Sequence, residues 1–399
     1  MKLYGLGYGH GVGMSQYGAK GRALAGQTAE QILAAYFKGA TPSTTSPTRL
    51  VRVRVLSGFA APSTAPLVLV GRGGTWGFTG TETVFPADAQ LRAWQKSTTT
   101  GGATTTTWQV SVLAPDGTTV LHAAVVSGTP VMRPLDPSTS LQVASRLSIY
   151  NSYRGSLVLV LGASSVGLVN HVELDQYLRG VVPAEMPTSW PREALRAQVI
   201  AARSYAVCEL NPGTGTYDMV DDTRSQIYRG ILGERPVTDA LIAAEPGAVI
   251  KAGTTVVKAF FFSTGGGATE NNEYVFVSSK GTPGTSRVAY LRGITDRSAD
   301  GVPYDLDAPY FDWTTSSLSL ATLSAMFARD PRTDVGSLTK LDLRRRGVSG
   351  RLYQVVLYGS KGTKTVSADT FRSVYNAAKP SSARTLRSNL FDTNPIPLP

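Results

Sequence analysis

Along residues 51 to 55, valine alternates with arginine (Val51, Arg52, Val53, Arg54, Val55), the period of a strand with one buried and one solvated face. WQVSVLAPDGTTVLHAAVV, residues 108–126, holds two alternating runs joined by Pro-Asp-Gly, which predicts a β-hairpin. LQVASRLSIYN and YRGSLVLVLG add further strands, the second apolar enough to be covered on both faces. After Pro187 the period changes. Leu195, Val199, Ala202 and Ala206 fall on one face of a helix, flanked by Gln198 and Arg203, with Ser189 as its cap and Pro191 in its first turn. Near the N-terminus, Gly21 and Gly26 interrupt the helical spacing, confining the predicted helix to residues 28–37 with Thr28 as N-cap. TPSTTSPT, residues 41–48, reads as a linker of turn residues. The pattern as a whole predicts an α+β fold: a β-rich mixed core, a central helix after Glu185, and an additional β subdomain. The expected boundaries are 1–40 for the Gly-rich opening segment and its helix, 41–48 for the linker, 49–140 for the β subdomain, and 141–399 for the main core with a C-terminal α/β part.

Composition narrows the setting. A chain of 399 residues has room for two or three subdomains. Only 17% of residues are charged and 41 are glycine, which favours strands and turns over long surface helices. The net charge of +11 implies an acidic partner. The basic run Arg344 to Arg346 is short and lacks interleaved aromatics, which argues against nucleic acid; distributed charge fits an anionic wall polymer better. The single cysteine, Cys208, rules out an intramolecular disulfide and reads as a small core residue. No apolar stretch reaches the roughly eighteen residues of a membrane span. MKLYGLGYGH also lacks the apolar stretch of an export signal, so the protein is cytosolic or such a signal has been removed.

One carboxylate stands out for chemistry. Val181, Val182, Pro183, Met186 and Pro187 place Glu185 in an apolar bend at the mouth of a helix, and desolvation by such neighbours should raise its pKa toward the range of a general acid. The alternative is a solvent-facing glutamate at a helix approach. Arg196 and Arg203 lie seven residues apart, on one side of the predicted helix, where each could pair with an acid or bind a sugar or phosphate and is by default a solvated charge. STGGGATE, residues 263–270, can bring backbone N–H groups near a ligand, but it matches neither GxxxxGK[ST] nor GxGxxG. His10, His122, His171 and Cys208 have no zinc-ligand spacing, so neither metal nor cofactor is expected.

YLRGVVPAEMPTSWPREALRAQVIAARSYA closely resembles the core motif of the stage II sporulation protein D and amidase-enhancer family, and GYGHGVGMSQYGAKG, TRSQIYRG, FFSTGGGATENNEYVF and LRSNLF resemble further motifs of it. The resemblance implies a lytic transglycosylase of peptidoglycan in the cell wall, outside the membrane, with residues 141–399 as its catalytic core. Glu185 would protonate the bond between N-acetylmuramic acid and N-acetylglucosamine and then accept the proton of the muramic C6 hydroxyl, closing a 1,6-anhydro ring. By the same resemblance Tyr177, Arg196, Gln198, Arg203, Gln226, Tyr228, Ser263, Thr264, Gly265, Gly266 and Glu270 would position the glycan. His10, Ser15 and Gln16, which here precede the core rather than follow it, should lie near Glu185 and the STGGGATE loop. The amidase-enhancer branch implies another role, a glycan-binding partner of a wall amidase with little or no turnover of its own.

Overall fold

The computed structural model describes residues 1–162, 165–211, 213 and 215–397. The chain divides into two compact units, one of residues 1–43, 190–201 and 250–399, the other of residues 44–189 and 202–249. The fold is α+β, as the sequence pattern predicted.

In the first unit the chain's two ends meet in one sheet. The strand Tyr4–Leu6 lies between Asp312–Thr314 and Phe391–Asp392, antiparallel to both. Met14–Ser15 then pairs in parallel with Phe261–Phe262. A three-stranded sheet of Leu338–Asp342, Gln354–Gly359 and Gly362–Ser367 is joined by the helices Leu320–Phe327 and Ala368–Ala378. Leu3, Trp313, Phe327, Phe371 and Phe391 are among the side chains of this unit's core. Helix α1 (Gln16–Leu24) begins at Ser15, and α2 (Ala29–Tyr36) at Thr28. Thr28 caps α2 as expected, through a reciprocal bond with Gln31.

Helix α1 corrects the reading that stopped at Gly21 and Gly26. A β-carbon on Gly18 would sit 2.1 Å from the Tyr36 hydroxyl, and one on Gly21 would sit 1.9 Å from the Tyr304 carbonyl. The small residue is required there for close approach, which outweighs its cost in a helix.

The second unit holds two six-stranded sheets among the described residues. One runs in the order Met219–Val220, Leu50–Phe59, Val166–Glu173, Ser156–Leu161, Val131–Pro134 and Trp76–Phe78; the other runs Ser152–Tyr153, Ser140–Val143, Leu67–Arg72, Gln90–Thr100, Ala103–Leu113 and Val120–Val126. Val51, Val53 and Val55 are buried and Arg52 and Arg54 half-buried, as the alternation predicted. The predicted hairpin is the antiparallel pair Ala103–Leu113 with Val120–Val126. Leu157, Val158 and Leu159 are buried in succession, as a strand covered on both faces requires. LQVASRLSIYN is strand only over its first residues, in Ser140–Val143. Thr41–Thr44, read as linker, is a short strand, consistent with the β preference of its branched threonines.

Two helices place the conspicuous carboxylate. Helix α3 spans Leu174–Glu185, so Glu185 closes a helix where a bend was expected. Pro183 sits in its last turn, where its missing N–H costs the helix one bond, that to the Arg179 carbonyl. Helix α4 spans Arg192–Glu209, and the division between the units falls within it. The Pro191 carbonyl accepts the first bonds of α4, from Ala194 and Leu195, so Pro191 rather than Ser189 marks its start.

Candidate functional site

Glu185 is half-buried, with Val181, Val182 and Met186 fully buried beside it in sequence. The backbone N–H of Ile227 donates to its Oε1 at 2.9 Å, a bond that fixes where the carboxylate sits. Ile227 is flanked by two residues that face the same helix. The Tyr177 hydroxyl donates to Gln226 Oε1 at 3.1 Å, and Gln226 Nε2 donates to the Ala202 carbonyl of α4 at 3.2 Å. Tyr228 donates to Asn170 Oδ1 at 2.9 Å, and its ring lies 4.9 Å from that of Tyr177. The Tyr177 phenol is held well above its ordinary pKa, first by burial, then by Tyr228 and by the charge of Glu185. TRSQIYRG and the end of α3 are therefore one neighbourhood, built from segments some forty residues apart.

Arg203 supports the same unit from inside. Its side chain is fully buried; Nε donates to Asp175 Oδ1 at 2.7 Å and Nη1 to the Ala248 carbonyl at 2.9 Å. Asp175 opens α3 and Arg203 lies in α4, so the pair ties the two helices together. The solvated reading of Arg203 is thus corrected. Every residue from Ala197 to Val207 is buried, so Gln198 and Arg203 do not flank an exposed margin. Gln198 is fully buried, and neither atom of its amide makes a hydrogen bond among the described residues. Arg196 belongs to the other unit, where it bonds Glu193 and Glu30. Helical spacing put both arginines on one side of α4, yet their surroundings differ completely.

The Gly-rich motifs form a second cluster, in the first unit. Tyr8 and Thr264 exchange backbone hydrogen bonds of 2.9 and 3.0 Å, Tyr17 N–H bonds the Ser263 carbonyl at 3.0 Å, and Glu270 N–H bonds Gly11 at 2.7 Å. The expected meeting of GHGVGMSQ with STGGGATE is therefore present across some 250 residues. Its polar groups, however, are engaged within the chain. His10 Nδ1 accepts from Val12 N–H at 3.0 Å and Nε2 donates to the Phe261 carbonyl at 3.1 Å; burial lowers its pKa to about 4, so the ring is neutral. Ser15 caps α1, accepting from Gly18 N–H at 3.0 Å, and Gln16 is buried. These bonds engage the imidazole of His10 and the hydroxyl of Ser15 within the chain.

The STGGGATE loop is held in the same way. Gly266 and Gly267 donate to Asp305 at 2.8 and 3.1 Å, so these N–H groups serve a carboxylate of the chain itself. Arg351, buried, donates to the carbonyls of Gly265 and Ala268 at 2.7 and 3.1 Å. Glu270 is buried and accepts from Asn271, Val348 and Ser349. Thr264 is fully buried; Ser263 is half-buried beside it. Burial and the nearby Asp296 raise Asp305 to about 6 against the loop's N–H bonds, and burial lowers Arg351 to about 10. Asp305, Arg351 and the buried Asp296, which bonds Arg22 and Tyr36, went unrecognised in the sequence because their partners lie tens to hundreds of residues away. Asp221 was missed too. Burial raises its pKa against the pull of Arg146, 2.7 Å away, and its charge reaches both Tyr177 and Tyr228.

Among the described residues no three His, Cys, Asp or Glu side chains cluster as metal ligands, and no helix is long and apolar enough to cross a membrane. Residues 163–256 match the family model described as stage II sporulation protein. Over 162 residues the chain is 32% identical to the amidase enhancer of Bacillus subtilis, a stretch covering 41% of this chain and 21% of that protein. Over 163 residues it is 30% identical to stage II sporulation protein D of the same bacterium, covering 37% of this chain and 43% of that one. The matched region spans less than half the length of either relative.

Proposed function

We propose that this chain, which carries a stage II sporulation protein domain in residues 163–256, acts on the glycan of the bacterial cell wall as a lytic transglycosylase with Glu185 as its acid and base. The observation that carries the reading is a half-buried carboxylate, held by Ile227 N–H at the end of α3 and backed by the buried Tyr177, Gln226 and Tyr228. Glu185 gives its proton to the glycosidic oxygen as the bond to the anomeric carbon of N-acetylmuramic acid breaks. The carboxylate then takes the proton of the sugar's own C6 hydroxyl, whose oxygen bonds the anomeric carbon and closes the 1,6-anhydro ring. No water enters, so the two carboxylates of a hydrolytic glycosidase are not needed. Tyr177, Gln226 and Arg203 are closed off from solvent. Their part is positioning: Arg203 ties the start of α3 to α4, and Tyr177 and Gln226 tie α3 to the Ala202 carbonyl, bracing the helix that ends at Glu185, the kind of placement on which near-attack geometry depends.

A second reading is favoured by the identity to an amidase enhancer: a glycan-binding partner of a wall amidase, outside the membrane, with little turnover of its own. Digestion of peptidoglycan with the purified protein separates the two. The first reading expects soluble fragments that are lost with Glu185→Gln. The second expects none, together with faster cleavage by an added wall amidase.

A further inference from the structure

The GYG of the opening motif holds an aromatic residue at the surface. Gly7 and Gly9 have φ of +73° and +111°, a left-handed backbone that favours glycine, and between them Tyr8 is 40% exposed. Three neighbours fix that position. Gly7 N–H bonds the Phe311 carbonyl at 2.9 Å, Gly9 N–H bonds the Arg387 carbonyl at 3.2 Å, and Tyr8 is pinned to Thr264 on both sides. These bonds bring Tyr310 and Arg387 alongside. The rings of Tyr8 and Tyr310 meet edge to face with centroids 5.4 Å apart, and Tyr310 is 37% exposed. The Arg387 guanidinium lies 4.0 Å from the Tyr310 centroid and 5.3 Å from that of Tyr8.

Arg387 differs from several arginines of this unit in having no acidic partner among the described residues. Arg22, Arg346 and Arg372 each pair with an aspartate, whereas no carboxylate of the described residues pairs with Arg387, and its guanidinium contacts are with the two rings. No N–H of its guanidinium bonds another described residue, which leaves these donors to solvent or a ligand. Two partly exposed tyrosines beside a cation that no described carboxylate pairs with suit a ring with apolar C–H faces and an anionic substituent.

We infer that Tyr8, Tyr310 and Arg387 form a surface site for an anionic sugar unit, stacking its pyranose ring on tyrosine and pairing its carboxylate or phosphate with Arg387. The inference rests on the proposed glycan substrate and adds a place on the first unit and a chemistry for holding it.

The test is binding to the full chain carrying Glu185→Gln, so that turnover plays no part. The probes are N-acetylmuramic acid, N-acetylglucosamine 1-phosphate and neutral N-acetylglucosamine, followed by NMR of the tyrosine rings. At low salt at least one anionic sugar binds about tenfold tighter than the neutral one, the scale of one charge-assisted contact. Whichever of the two binds tighter identifies carboxylate or phosphate as the natural group. Arg387→Gln removes the preference, and Tyr310→Ala weakens all three probes. Equal affinity for the neutral sugar in the Glu185→Gln protein would overturn the site with no reliance on a further variant's folding. So would a preference that survives Arg387→Gln, or displacement of the sugars by tetraglutamate at equal concentration. The preference with no soluble fragments from wild-type digestion removes the transglycosylase reading alone. Fragments without the preference remove this site alone.

Discussion

The neighbourhood of Glu185 and the cluster around STGGGATE are built from equally conspicuous motifs, yet they use their polar side chains in opposite ways. At the end of α3, the Ile227 N–H bonds a half-buried carboxylate, and the buried tyrosines and glutamine behind it bond one another and the helices. In the Gly-rich cluster the imidazole of His10, the hydroxyl of Ser15 and the carboxylates of Glu270 and Asp305 all close on the chain's own backbone. A polar motif residue is a candidate for chemistry only after its local hydrogen bonds have been counted. We propose the half-buried Glu185 for the reaction, and the bonds of His10, Ser15, Glu270 and Asp305 assign those residues to the scaffold.

The comparison breaks most sharply in activity. Glu185→Gln should lower glycan cleavage by about 10²- to 10⁴-fold, the range of a lost general acid, with an unchanged melting temperature. His10→Gln should lower activity only as far as it lowers stability. A folded, equally stable His10→Gln protein that had lost activity as completely as Glu185→Gln would erase the distinction.

Arg203→Leu tests the buried support. Removing one member of a buried ion pair leaves Asp175 without its cation and should cost about 3–5 kcal/mol of stability, read by denaturant unfolding. A change below about 1 kcal/mol, the level of a surface pair, would show that α3 and α4 are held by packing alone. Ser15→Ala should cost about 1 kcal/mol, the loss of a helix cap. A loss of glycan binding with no loss of stability would instead give Ser15 a direct contact.

The smallest expected effect is a pH dependence of opposite sign at two groups. Asp305 titrates near 6 in the folded chain and near 3.9 when unfolded. The folded state therefore holds the proton more tightly, and the stability this confers is present below about pH 4 and is lost as the pH rises through 6. His10 is depressed from its ordinary value to about 4, so its contribution is present above about pH 6.5 and is lost as the pH falls toward 4. The stability difference between wild type and Asp305→Asn should shift against the wild type from pH 4 to 6, and that between wild type and His10→Gln should shift in its favour. The same slope in both pairs would contradict the two assignments.

What the sequence conveyed follows the range of the interactions involved. Val51 to Val55, the Pro-Asp-Gly hairpin and the Thr28 cap are legible because period and capping act within a few residues. Glu185 was legible as a conspicuous acid, but its place at the end of α3 was not, since a helix carrying Pro183 in its last turn reads as a bend. Helix α1 was hidden because the use of Gly18 and Gly21 depends on Tyr36 and Tyr304, the latter nearly three hundred residues on. Asp305 and Arg351 gave no local signal, and without them the glycines of STGGGATE look like open donors. Arg203 read as a surface charge because spacing gives the side of a helix, and here the whole turn is buried.

The central claim, that one carboxylate at the end of α3 runs a glycosidic cleavage without water, is tested most directly by mass spectrometry of peptidoglycan digested in H₂¹⁸O. The account predicts fragments ending in 1,6-anhydro-N-acetylmuramic acid with no ¹⁸O at the cleaved end, absent when Glu185→Gln replaces the wild type. Reducing ends carrying ¹⁸O, or anhydro ends still formed by Glu185→Gln, would contradict it.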